Sequence, residues 1–234
     1  MKRIALALLF LICFAAQAQN QTALQKHYEA FYKEMRLQGD VNGVINALTH
    51  LNVISPLKAR KDTLAYVYAN NNQHLQALNT IGIDKNEADS DLAVQVKATS
   101  LKAMGEAKRA LEQFEILNTR TPNVYLAYEL ADLKIQTGDN AGAAENIEYG
   151  ITNAKEDEKY AFYERQQPYE ASLKAAFIHL KALVAFNKDK NNLDGAIKLI
   201  DEALALDPSF NLASLSKQAL ESRKNPPAAA EKKD

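Results

Sequence analysis

DLAVQVKATSLKAMGEAKRALEQFEILNTRTP, residues 91–122, places one apolar stripe of helical spacing on each side of a single glycine. Val94, Ala98 and Leu101 precede Gly105, and Ala110, Phe114 and Leu117 follow it. Residues three and four apart share one face of an α-helix, so each half predicts one amphipathic helix. Gly105 suits the left-handed backbone of a tight stop between them, and Pro122, which has no amide donor, ends the second. The segment reads as a helical hairpin.

The same arrangement returns along the chain. Ala77, Ala110 and Ala143 lie 33 residues apart, and Gly39, Gly105 and Gly138 fall on the same beat. Such a period predicts stacked hairpins that cover one another's apolar faces rather than a single closed domain. Five units follow, at about 25–56, 57–87, 91–122, 124–153 and 177–208. Asn70, Asn71 and Asn72 take the glycine's place in the second unit, and asparagine also tolerates left-handed angles. In the fourth, Ala127, Leu130, Ala131 and Ile147 repeat the stripes, with Asp139 after Gly138 placed to cap the next helix. Pro56, Pro122 and Pro208 end units. The beat then slips: Ala196 follows Ala143 by 53 residues, so about 20 extra residues enter as an irregular insertion over about 154–176. A last amphipathic helix over 209–223 would cap the stack.

Both ends read differently. Lys2 and Arg3, the apolar run 4–14 and the small residues Ala16 and Ala18 predict a secretory signal peptide over 1–18 and a mature chain beginning at Gln19. The protein is therefore expected to be periplasmic or secreted. Cys13 is preceded by bulky Ile12, which speaks against a lipid anchor, and it is the only cysteine, so export would leave a chain without disulfides or thiolate metal sites. Beyond the signal no stretch approaches the roughly 20 uncharged residues of a membrane span. With Lys2 and Arg3 removed, 26 basic residues face 29 acidic ones, a balance that argues against nucleic acid. Residues 224–234, rich in proline, alanine and charge, predict a disordered tail.

At these residues the chain resembles the tetratricopeptide repeat family, whose unit of about 34 residues repeats small, glycine, alanine and proline positions. Ala98, Gly105, Ala110, Phe114 and Pro122 meet that pattern, as do Ala131, Gly138, Ala143, Ile147 and Gly150, and then Ala196, Ile200, Ala203 and Pro208. Leu117, Lys155 and Val44 depart from it, and tryptophan is absent throughout. The resemblance covers about 25–223 and is that of an exported bacterial member. It implies an all-α, right-handed superhelical solenoid of about five hairpins plus a C-terminal capping helix. It also implies that first-helix positions line an inner wall: Ala59, Asp62, Tyr66, Ala69 and Asn70; Leu92, Gln95, Thr99, Lys102 and Ala103; Tyr125, Tyr128, Asp132, Ile135 and Gln136; with Lys26, Glu29 and Lys33 at one end. Of these, Tyr66, Asn70, Gln95, Thr99, Lys102, Tyr125, Tyr128 and Asp132 are the candidate partner-binding residues. The family's lysine and asparagine clamp for a C-terminal carboxylate is missing, since Glu29 and Lys33 stand there.

No catalytic constellation, phosphate loop or metal motif occurs, and His27, His50, His74 and His179 are scattered over separate units. Neither an enzyme nor a cofactor is expected. The acidic run Glu156, Asp157 and Glu158 reads as a solvated loop. Tyr160, Phe162, Tyr163, Tyr169 and Phe177 concentrate aromatic surface in the insertion, either as packing or as recognition. The expected function is a non-enzymatic scaffold that binds a protein or peptide along its concave face. The alternative is a solute- or glycan-binding protein with a pocket formed by residues 160–177. Self-association into a larger assembly is compatible with the first reading.

Overall fold

The computed structural model describes residues 22–225, so the expected signal peptide and the tail beyond Asn225 lie outside the described residues. Within them the regular elements are helices and one short β-hairpin, and the chain divides into two compact units at Glu106 and Ala107. That division falls inside the third of the expected hairpins.

The first unit holds α1 (residues 22–38), α2 (Val41–Ile54), α3 (Lys58–Asn70), α4 (His74–Ile81) and α5 (Asp91–Ala103). Helix α3 packs on α2, α4 and α5, and α4 on α5. The stops between helices obey the predicted chemistry: Gly39, Asn72 and Gly105 have φ of 70°, 58° and 78°. Asn72 is the only residue other than glycine with positive φ among the described residues. Asp40 and Ser90 begin α2 and α5 by accepting the amides of Gly43 and Ala93, at 3.0 and 3.1 Å. Ala65 and Ala77 are fully buried, because where helices cross at about 8–10 Å a larger side chain has no room.

Between α4 and α5 the chain crosses a non-helical stretch, residues 82–90, and Lys97 holds it in place. This lysine is only 2% exposed, and its ammonium donates to Asp89 Oδ2 at 2.6 Å and to the Asp84 carbonyl at 2.8 Å. Lys58 reaches the other Asp89 oxygen at 3.0 Å. Burial raises the Asp89 pKa, but the hydrogen bonds and charges of Lys97 and Lys58 outweigh it and hold the carboxyl below its ordinary range. Asp62, a wall position by resemblance, is instead buried and accepts from the Ser90 hydroxyl at 2.7 Å.

The second unit holds α6 (Ala107–Arg120), α7 (Val124–Thr137), α8 (Asn140–Asn153), β1 (Lys159–Phe162), β2 (Tyr169–Ser172), α9 (Leu173–Lys188), α10 (Leu193–Leu206) and α11 (Asn211–Lys224). Each helix packs on the next, and α9 also on α7. Asp139 caps α8 through the Gly142 amide at 2.9 Å, as expected. Ala110, Ala131, Ala143 and Ala196 are fully buried. Gly150 lets α8 approach α9 so closely that a Cβ there would overlap the Phe177 ring.

Two expectations need correction. The insertion is not irregular: β1 and β2 pair antiparallel, with Tyr160 opposite Ala171 and Phe162 opposite Tyr169. Their alternation places Tyr160, Phe162, Tyr169 and Ala171 on one face, which packs into the core of this unit. The last hairpin also starts at Leu173 rather than Phe177, because Ser172 ends β2 and caps α9 through the Ala175 amide.

Candidate partner-binding surfaces

The expected wall residues fall on α1, α3, α5 and α7, and the candidate partner-binding residues among them on α3, α5 and α7. In the first unit, Tyr66 and Asn70 lie one turn apart on α3, and Gln95 and Thr99 one turn apart on α5, with Lys102 following. Tyr66 is 42% exposed, Asn70, Gln95 and Thr99 are also exposed, and Lys102 is half-buried. Since α3 packs against α5, these two rows are neighbours. They present a phenol, two amides, a hydroxyl and an ammonium, a set suited to hydrogen bonding rather than to covalent chemistry.

Beside them, α1, α2 and α3 enclose a groove of about 370 Å³ lined by Glu29, Tyr32, Lys33, Leu48, Leu51, Leu57, Ala59, Arg60 and Thr63. Glu29, Lys33 and Ala59 were wall positions by resemblance, whereas Arg60 was not. Its guanidinium donates to the carbonyls of Leu51 and Ser55, at 3.0 and 2.6 Å, and so closes the C-terminal end of α2. The leucines form an apolar floor, with charge of both signs at the rim.

In the second unit Tyr125 is 42% exposed and Asp132 half-buried. Tyr128 departs from expectation: at 4% exposure it is a core residue. Its ring centroid lies 4.3 Å from Tyr160, and its edge meets Phe162 and Phe177 at 6.2 and 5.6 Å. The hairpin thus covers α7 at the position where a partner was expected to lie. Burial first, and then the nearby carboxylates Asp132 and Glu129, keep the Tyr128 phenol protonated. Tyr160 donates to Glu129 and its pKa is likewise raised, by burial and by that carboxylate.

The remaining aromatic surface of the insertion is also occupied. Phe162 stacks on Tyr169 at 5.6 Å and meets Phe210 at 4.8 Å. Tyr169 accepts the Leu212 amide at 3.0 Å, and the Arg165 guanidinium lies 4.0 Å above its ring. Burial and Glu164 push its pKa up to about 12. A cleft of about 400 Å³ at the hairpin tip is lined by Arg165, Gln166, Gln167 and Pro168, and by none of these rings. Tyr163, 74% exposed, is the ring of this group left to solvent.

Among the described residues no group of three or more His, Cys, Asp or Glu side chains is placed to hold a metal. No described helix is long and apolar enough to cross a membrane.

No protein-family profile matches the chain, and no curated protein sequence matches it. Solved structures do. A tetratricopeptide repeat protein from Parabacteroides merdae superposes with a TM-score of 0.62 at 14% identity, covering 84% of this chain and 72% of that one. The MamA protein superposes with a TM-score of 0.56 at 16% identity, covering 88% of this chain and 97% of that one. The fold is that of tetratricopeptide repeat proteins: helical hairpins repeated in tandem.

Proposed function

We propose that the protein is a non-enzymatic, exported interaction scaffold that holds a segment of a partner protein in the α1–α2–α3 groove and along the adjoining rows of α3 and α5. The observation that carries this reading is the groove itself, with its floor of Leu48, Leu51 and Leu57 and its rim of Glu29, Lys33 and Arg60. Its volume, about 370 Å³, lies within the range of small binding clefts, roughly 300–1,000 Å³. An apolar side chain would fill the floor while the peptide on either side meets the polar rim and then Tyr66, Asn70, Gln95 and Thr99.

The test compares partner capture by the immobilised mature chain with capture by Leu57→Glu and by a Tyr66→Ala/Gln95→Ala double variant. Leu57 and Tyr66 are exposed, so both variants should melt like the parent. Loss of tenfold or more in affinity for the captured partner is expected from each. Capture unchanged by both variants rejects the groove and the rows as the binding surface.

A further inference from the structure

Helix α11 packs chiefly on α10, whereas α9 is held by α7, α8, α10 and both strands. On α11, Leu212, Ala213 and Leu220 join the apolar cluster that contains Phe177 and Leu180 of α9 and Ile200 of α10. The ion pairs of α11 lie at the surface: Lys217 meets Asp201 at 2.7 Å, and Lys224 meets Asp194. Exposed pairs of this kind hold a helix weakly. A deeper contact comes from α9. His179, 1% exposed, meets Ser216 Oγ of α11 through Nε2 at 2.8 Å, and the Phe210 ring just before α11 stands edge-on to the imidazole at 5.4 Å. Its Nδ1 is buried with no hydrogen-bond partner.

A neutral imidazole fits this place, because Nε2 can donate to Ser216 while Nδ1 keeps a bare lone pair. An imidazolium does not. It carries N–H on both nitrogens, so Nδ1 would become a charged, buried donor with nothing to receive its proton. Burial is the single cause that lowers the pKa of this ring, to about 4 from 6.5, and no neighbouring charge acts on it. The charged groups of the elements packed around it are engaged elsewhere. Lys217 of α11 joins Asp201 of α10 and Glu221, and Lys181 of α9 meets Glu148 of α8 at 4.0 Å. Glu129 of α7 accepts from Tyr160 of β1, and Asp207, before α11, accepts the amides of Ser172 and Ser209.

We propose that α11 is an acid-released cap with His179 as its trigger: protonation undocks α11 from α9 and α10 and bares the apolar face it covers, while α7 and α8 keep their packing. Lifting α11 is the smallest movement that brings the ring to water, since Ser216 and Phe210 come away with it while α9 stays held by its other neighbours. The device lies in the second unit, so it stands or falls separately from the α1–α2–α3 groove.

The experiment is native-state amide hydrogen exchange of residues 19–234 at pH 7.5 and pH 5, in urea concentrations below the unfolding transition. The amides of α11 should exchange through an opening with a smaller urea dependence than that of α7 and α8, the mark of a local opening. Once open, the ring takes up a proton at its ordinary pKa, which multiplies the open population on the order of 30-fold between the two pH values. A rise of at least tenfold is therefore expected in α11 of the parent, and of less than threefold in His179→Gln, which keeps a donor for Ser216 but does not titrate. Ser216→Ala, which removes only the partner on α11, should raise the opening of α11 several-fold at pH 7.5 and retain the acid step. An α11 that opens only with α7 and α8, an opening unmoved by pH, or an equal acid step in His179→Gln would each overturn the proposal. If His179→Gln does not fold, the parent and Ser216→Ala decide, and an α11 unaltered by Ser216→Ala then overturns it.

Discussion

His179 shows how much a single side chain can conceal in a sequence. As one of four scattered histidines it reads as packing or surface, and the structure makes it core: 1% exposed, with Nε2 2.8 Å from Ser216 Oγ, Phe210 against its ring, and Nδ1 without a partner. Burial pushes its pKa down to about 4 from 6.5. The unfolded chain then binds a proton that the native one refuses between these values, so stability is full above pH 7 and falls as the pH drops through 6.5 toward 4. The slope should approach about 1.4 kcal/mol per pH unit. Urea unfolding at pH 7.5 and pH 5 should reveal the loss, and His179→Gln should shrink the difference. An identical pH dependence in the variant would assign the effect to other groups. Gly150 was legible as a small position, but its reason, the Phe177 ring pressed against it, lies across 27 residues of chain and only the fold reveals it.

At the scale of elements, the helices and their stops were legible because their causes are local. Apolar spacing sets the helix faces, and Gly39, Asn72, Gly105 and Gly138 all adopt the left-handed backbone that their residue types permit. The hairpin was not legible. Its strands have four residues each, too few for a two-residue period to stand out from the surrounding irregularity, and the six residues between them carry no tight-turn signature. Its existence depends on distant partners: Tyr128 and Glu129 on α7, Asp207 and Leu212 around the start of α11. The same holds for Lys97, a charge amid buried Val96 and Ala98, which makes sense only with Asp89 and the Asp84 carbonyl in place. Breaking a buried ion pair by removing one partner costs about 3–5 kcal/mol. Lys97→Ala should therefore lower the native-state exchange protection of α4 and α5 well beyond that of α9 and α10. Uniform loss of protection along the chain, or none, would count against a local clasp.

For the whole molecule, tandem repetition of helical hairpins was readable on either side of the insertion, whereas the candidate site was readable only in part. The rows on α3 and α5 are accessible, Tyr128 and Asp62 are buried, and Arg60 and Leu57 at the groove entered through geometry rather than spacing. The proposed export makes its own prediction: if residues 1–18 act as a signal, the form recovered outside the cytoplasm should have the intact mass of residues 19–234. An unprocessed mass, or retention in the cytoplasm, would contradict it. The β-hairpin has a consequence for how such a gene can change length. Tandem modules are ordinarily interchangeable, and a gene can gain or lose one by recombination between neighbours. Here Tyr160 matches only the helix that bears Tyr128, and Tyr169 and Ser172 match only the turn that bears Asp207 and the helix that follows it. An in-frame deletion or duplication within that stretch would present each ring to the wrong neighbour, so module number there is locked.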